Sequence, residues 1–290
     1  MQKGENGLVL AISGFRIGLR GLDQKTESGV RERFGLFLQQ GGSGPVPLDL
    51  EVRARPADVR QYLPYPAEDG HRIYRIESRE ADGRLHVWSY SFSGVLSLSG
   101  PEADIAICRS GFEPSTRSLE NFLRVALAWK AAAQGALLLH SSGVVRDGLA
   151  YLFFGPSGAG KTTVTRHSRE HLILNDDIIL IRPAERQVLA SGVPFKGSDD
   201  LGAEHTGAFP VAGLFRLVQA DEDLCLPLPL GRAMSELAGA VPFVTDRAEG
   251  LMRVFAILED IARRVPVHTL RFTNSADFWG PVLAAAGERA

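Results

Sequence analysis

The 290 residues predict an α/β protein of two domains: a β-rich module over residues 1–112, then a strand–loop–helix domain over residues 113–290. Three observations predict it. Before residue 112, the runs Leu48–Arg55 and Leu85–Phe92 alternate apolar and polar residues with period 2, as half-buried antiparallel strands do. Ser115 and Thr116 can cap a helix running to about Ala133. Further on, the apolar strand Leu149–Phe154 runs directly into a glycine-rich octapeptide, Gly155–Thr162.

In the first module, four shorter apolar runs read as additional strands: Phe15–Leu19, Phe34–Leu38, Arg72–Ile76 and Ile105–Cys108. Gly41–Pro45 reads as a loop. Trp88, Tyr90 and Phe92 fall on one strand face by period 2, so a core stripe is expected there. The region has no histidine cluster, catalytic triad or nucleotide signature, and a role in acceptor recognition or assembly is the expectation.

The second domain starts with the helix over Ser115–Ala133, whose Leu119, Phe122, Leu123, Ala126 and Trp129 share one face. Asp147-Gly148 follows as a two-residue hairpin signal, because both central positions of a type I′ turn need positive φ. If Arg146 pairs with Leu149, then Val144 faces Tyr151, and His140 falls opposite Gly155.

The octapeptide Gly155-Pro156-Ser157-Gly158-Ala159-Gly160-Lys161-Thr162 matches the pattern G-x-x-x-x-G-K-[ST] at every fixed position, and Thr163 extends it. The three glycines let the backbone curl so that successive N–H groups face one anion. Lys161 can then reach β- and γ-phosphates, and the Thr162 hydroxyl can ligate Mg²⁺. A helix from Thr162 to about His171 would place its N-terminus at the phosphates. The pattern predicts binding of a nucleoside triphosphate.

Two apolar runs, Leu172–Leu174 and Ile178–Ile181, flank the polar step Asn175-Asp176-Asp177, and Gln187–Ala190 reads as a further strand. Adjacent carboxylates in such a stretch are costly to bury unless they hold metal or protons. The plainer alternative is a polar bulge exposed at a sheet edge. Only fifteen positions separate Lys161 from Asp176, room for one short helix and one short strand. Thr245-Asp246 leads a later helix, Pro266–Phe272 is a strand, and Ser275 caps a final helix. Arg263, Arg264 and Arg271 are read as solvated charges, with phosphate contact as the alternative.

His140, the Asp147-Gly148 turn, Gly155–Thr163 and Asn175–Asp177 together resemble the C-terminal catalytic domain of HPr kinase/phosphorylase. More closely, they are similar to the HPr-kinase-related proteins of bacterial peptide-modification clusters. The resemblance spans about residues 117–285, with its specific motifs within about 140–180. It implies a P-loop nucleotide-binding domain of the HPr kinase/phosphoenolpyruvate carboxykinase type with a mixed sheet. It further implies that His140 lines the site, Asp176 acts as base on the acceptor hydroxyl, and Asp177 joins Thr162 in supporting the metal. The glycine- and asparagine-rich signature of HPr kinase/phosphorylase is missing, which puts phosphorolysis and HPr itself as substrate in doubt. A further acidic metal ligand has no clean match. Asp199 and Asp200 are the nearest candidates, with Lys196 as a candidate phosphate contact.

Composition narrows the classes. A formal net charge of −2 offers no basic field for nucleic acid and no polybasic membrane patch. No apolar run approaches the roughly 20 residues needed to span a bilayer, and Gly7–Ile12 is too short for a signal core, so a cytoplasmic location is expected. Cys108 and Cys225 are expected to be packing residues. Guanylate kinases place this loop near the N-terminus, and transporter ATPases need a Leu-Ser-Gly-Gly segment after it. Here the nearest match, Leu98–Gly100, comes before it. The expected activity is Mg²⁺/ATP-dependent transfer of the γ-phosphoryl group to a serine or threonine hydroxyl of a peptide or small protein, such as a precursor peptide. A nucleotide-gated binding module and a small-molecule kinase are the alternatives. Homo-oligomerisation stays open.

Overall fold

Strand alternation and hairpin chemistry account for most of the architecture of the computed structural model, which describes residues 7–39, 47–65, 75–197, 203, 205–245 and 248–287. The protein is mixed α/β and divides into two compact units, residues 1–130 and 131–290. The division falls later than the 112/113 boundary expected from sequence, so most of the helix beginning at Ser115 lies with the first unit.

The first unit contains β1 (Leu8–Ile12), β2 (Phe15–Arg20), α1 (Gln24–Phe34), β3 (Leu50–Ala57), β4 (Glu77–Ala81), β5 (Arg84–Trp88), β6 (Phe92–Ser97), β7 (Glu102–Cys108) and α2 (Ser115–Ala133). Among the described residues its strands form one mixed seven-stranded sheet, in the order β1-β2-β3-β7-β6-β5-β4. β3 runs parallel to both β2 and β7, and the other pairings are antiparallel. Leu119, Phe122, Leu123 and Ala126 of α2 are buried as the helical spacing predicts, whereas Trp129 of the same expected face is half-buried, and Phe122 meets Phe92 edge-on at 6.2 Å.

Two expectations for this unit are corrected. Phe34–Leu38 is not a strand but the end of α1 followed by a 3-10 turn over Gly35–Phe37. The Asp23 carboxylate accepts from Thr26 N at 2.7 Å and caps the helix, and Thr26, Val30 and Phe34 bury one face at a spacing of four. Leu85–Phe92 is likewise not one strand. Ser89 N donates to Phe92 O at 3.0 Å and closes a turn, so Trp88, Tyr90 and Phe92 share no strand face. Phe92 and Tyr90 are both buried, and the Tyr90 ring lies tilted against those of Tyr65 and Phe112. Gly41–Pro45, and Arg72–Tyr74 of the run Arg72–Ile76, lie outside the described residues.

The second unit continues with β8 (Leu137–Leu139), β9 (Ser141–Arg146), β10 (Leu149–Phe154), α3 (Lys161–His167), β11 (Leu172–Asn175), β12 (Ile179–Pro183), β13 (Val188–Gly192), β14 (Ala208–Gln219) and β15 (Leu224–Pro227). It ends with α4 (Leu230–Ala238), α5 (Ala248–Arg264), β16 (Val267–Phe272) and α6 (Trp279–Gly287). Among the described residues these strands make a mixed nine-stranded sheet, ordered β11-β9-β10-β14-β13-β12-β8, with β16 paired to both β14 and β15. β14 pairs antiparallel with β13 at its start and runs parallel to β10 and β16 further along.

Asp147 and Gly148 have φ of 52° and 79°, and the hairpin register is Arg146 to Leu149 and Val144 to Tyr151, as the turn residues predict. Val144, Tyr151, Phe153, Val164, Phe215, Leu270 and Phe272 build the core beneath the glycine-rich loop. No helix among the described residues is long and apolar enough to cross a membrane. Cys108 and Cys225 are both free thiols.

Candidate functional site

The glycine-rich loop leaves the end of β10 and enters α3 with Gly160 as the residue before the helix. Gly158 and Gly160 adopt left-handed φ of 80° and 109°, a conformation that favours glycine. At Gly160 a second constraint applies, because an added Cβ would lie 2.4 Å from Cζ of Phe272 on β16. Gln219, at the end of β14, donates from Nε2 to Gly158 O at 2.8 Å and braces the loop from the neighbouring strand. Pro156, Ser157 and Gly158 form its exposed tip, with Gly155, Ala159 and Gly160 half-buried behind them.

Lys161 is buried and folds back over this loop, donating from Nζ to Gly155 O at 2.9 Å and Pro156 O at 3.3 Å. Burial pulls its ammonium below the ordinary lysine range, and the nearby Asp177 carboxylate draws it partly back up. Thr162 and Thr163 are half-buried in the first turn of α3. That helix is shorter than expected, ending at His167 rather than about His171. Ser168 N turns back to Thr165 O at 3.1 Å, and Trp279 Nε1 holds the Ser168 hydroxyl at 3.1 Å.

One short helix and one short strand do separate Lys161 from the acidic step, which follows β11. The register shifts between Ile173 and Asn175, so there is an irregularity in the ladder here. It is not an exposed edge feature: Asn175 and Asp176 are 0% and 5% exposed. Asn175 makes four hydrogen bonds. Nδ2 donates to Val193 O and Phe195 O at 3.0 and 2.8 Å, and Oδ1 accepts from Asp177 N and Ile178 N at 2.9 and 3.2 Å.

His140 lies where β8 gives way to β9, one residue beyond the Ser141–Phe154 pair that ends the hairpin ladder. Its backbone N donates to Ala240 O at 2.7 Å, and its ring Nδ1 stands 3.1 Å from Asp177 Oδ1. His140 and Asp177 therefore meet from two separate segments. Asp176 is the more deeply buried of the pair and lies against the backbone of Gly197.

Asp199 and Asp200 lie outside the described residues, and Lys196 is half-buried just before them. Among the described residues no group of three or more His, Cys, Asp or Glu side chains forms a candidate metal cage. Arg263, Arg264 and Arg271 pair with Glu259, Asp260 and Glu222 at 2.6, 2.7 and 3.2 Å. The braces supplied by Gln219 and Phe272, and the amide clamp of Asn175, were not predicted. They join segments distant in sequence, and no local pattern signals them.

A search of solved structures matches, among others, the HPr(Ser) kinase/phosphatase from Coxiella burnetii at 14% identity, over 52% of this chain and 93% of that one, with a TM-score of 0.27. No curated protein matches. The family model described as SynChlorMet cassette protein ScmC matches residues 118–285, more than half of the sequence, and the chain belongs to that family.

Proposed function

We propose that the second unit is an ATP-dependent phosphotransferase that phosphorylates a hydroxyl group on a peptide or small protein. The observation that carries this reading is the contact of His140 with Asp177, the second of two adjacent carboxylates, in the same unit as the glycine-rich loop and its buried lysine. The motifs that resemble HPr kinase/phosphorylase lie in these same segments and support it.

The chain's residues fit a nucleotide with Mg²⁺. The left-handed loop glycines leave backbone free to face an anion, and Lys161 is already tethered across the loop by two carbonyls. Magnesium is usually held by one or two protein groups together with phosphates and waters, so Thr162 and Asp177 suffice without a closed protein cage. Bound ATP would supply the phosphoryl group, with Mg²⁺ offsetting its charge. Lys161 offsets the remaining negative charge from the loop side. Asp176 takes the proton from the acceptor hydroxyl, and its burial keeps that carboxylate out of bulk water. His140 holds Asp177 in place through its ring nitrogen.

The testing experiment is transfer of label from γ-labelled ATP, with Mg²⁺, into a size-fractionated lysate of the source organism. It compares wild type with Asp176→Asn. A labelled peptide or small protein that requires Asp176 is the expected result. Label released only as free phosphate would replace this reading with a nucleotide-gated binding module. Label in a small metabolite would make the enzyme a small-molecule kinase.

A further inference from the structure

The Asn175 side chain is fully buried, and its four hydrogen bonds all go to backbone. Two of them close the turn that carries the acidic pair: Oδ1 accepts from the N–H groups two and three residues ahead, those of Asp177 and Ile178. The other two reach across to the chain leaving β13, at Val193 and Phe195. A single amide thus joins the end of one strand to the exit of another. Only a carboxamide offers two donors and an acceptor in this arrangement. An aspartate here would turn an oxygen towards two carbonyl oxygens, and leucine would leave all four backbone groups without the side-chain partner.

The segment held in this way runs on to Gly197. A Cβ at Gly197 would lie 3.1 and 3.2 Å from the two Asp176 carboxylate oxygens and 3.1 Å from Asp177 Cβ. The backbone therefore passes so close to the acidic pair that a Cβ at residue 197 would press on both aspartates by a few tenths of an ångström. Asn175 holds this segment at Val193 and at Phe195, two residues before Gly197.

We propose that Asn175 is the positioning residue of the Asp176–Asp177 pair, and that the Val193–Gly197 segment it clamps forms the wall against Asp176. This rests on the reading of the pair as the acidic centre of a phosphotransferase. The amide sets the direction in which both carboxylates leave the turn, and the wall limits solvent access to Asp176.

Two measurements test it. The first is carbodiimide-driven amidation of Asp176 in the ligand-free chain, read by mass spectrometry against the exposed Asp58 in the same sample. Wild type, Asn175→Ala, Asn175→Asp and Leu174→Ala are compared. Leu174 is fully buried on the same strand and supplies a packing loss without an amide. Asn175→Ala and Asn175→Asp are expected to raise Asp176 labelling about tenfold, the scale set by losing a buried hydrogen bond. Leu174→Ala is expected to leave it near wild type. Unchanged labelling in both Asn175 variants, or an equal rise in Leu174→Ala, overturns the proposal.

The second measurement is the affinity of a fluorescent ATP analogue with and without Mg²⁺. Wild type is expected to gain affinity from Mg²⁺, and Asn175→Ala to lose most of that gain while keeping its Mg²⁺-free affinity. If the labelling result holds but wild type shows no nucleotide affinity, the functional reading falls and the positioning role stands. If wild type binds Mg²⁺-nucleotide and the labelling does not change, the reverse is true.

Discussion

His140 Nδ1 lies 3.1 Å from Asp177 Oδ1, linking the strand before the hairpin to the second carboxylate of the acidic pair rather than the first. Asp177 is also the carboxylate that acts on the Lys161 ammonium. The two aspartates, adjacent in sequence, thus occupy different settings: one meets a histidine, the other is buried against Gly197.

That difference separates their variants. Asp177→Asn should weaken Mg²⁺-dependent nucleotide binding about tenfold, the size of a lost charge-assisted interaction. Asp176→Asn should leave nucleotide affinity within about threefold of wild type while abolishing phosphoryl transfer. Titration of a fluorescent ATP analogue, alongside a transfer assay, checks both. Equal loss of binding in the two variants would remove the division of roles.

Two loop glycines should respond unequally to alanine. Gly160→Ala combines a left-handed φ of 109° with a Cβ only 2.4 Å from Phe272 Cζ, and should cost about 2 kcal/mol or more. Gly158→Ala has a φ of 80° but nothing within 4 Å of its Cβ, so it should cost about 1 kcal/mol from backbone strain alone. Denaturant unfolding of the ligand-free protein measures the difference.

Lys161 makes stability depend on pH. Because burial lowers its folded-state pKa from the ordinary 10.5, the folded chain releases this proton at a lower pH than the unfolded chain. Between those two values the unfolded state binds more protons, so the contribution of this residue to stability rises with pH. Lys161→Met removes the titration. The Tm of wild type should therefore improve relative to that of Lys161→Met as pH is raised from 7 towards 10.5. A difference independent of pH would rule the effect out.

In the first unit, the Glu120 side chain has no exposure and receives Arg33, Arg117 at 3.2 Å and Arg124 at 3.0 Å. Removing the carboxylate leaves those cations facing one another around a buried site. Glu120→Ala should therefore destabilise the protein by about 3 kcal/mol, read by chemical denaturation.

The legible parts of this structure were those with local causes. Asp147-Gly148 specified a turn, and the turn specified a register that runs to the Ser141–Phe154 pair, one residue short of His140 and Gly155. The α2 helix was readable from its cap and spacing, but not its burial on nearly every side, which takes in Glu120, Asn121 and Lys130 and leaves Trp129 half-buried. What escaped depended on distant partners. α1 lies in a polar stretch, where the Asp23 cap and a sparse apolar face were less visible than the apolar cluster at its end. The break after Trp88 comes from a turn bond between Ser89 and Phe92, which no alternation reveals. Around the acidic step, no local pattern signals that Asp177 takes His140 or that Asn175 reaches Val193 and Phe195.

The Asp147-Gly148 turn has one more consequence. A chain opened there becomes two fragments: the first ends just after His140 and β9, and the second begins with β10 and carries the loop, Lys161 and both aspartates. Their seam would be the backbone ladders of β9 with β10 and β11, and of β8 with β12. Reassembly of the two pieces would then reconstitute the His140–Asp177 contact from separate molecules, making the hairpin a natural place to build a split reporter.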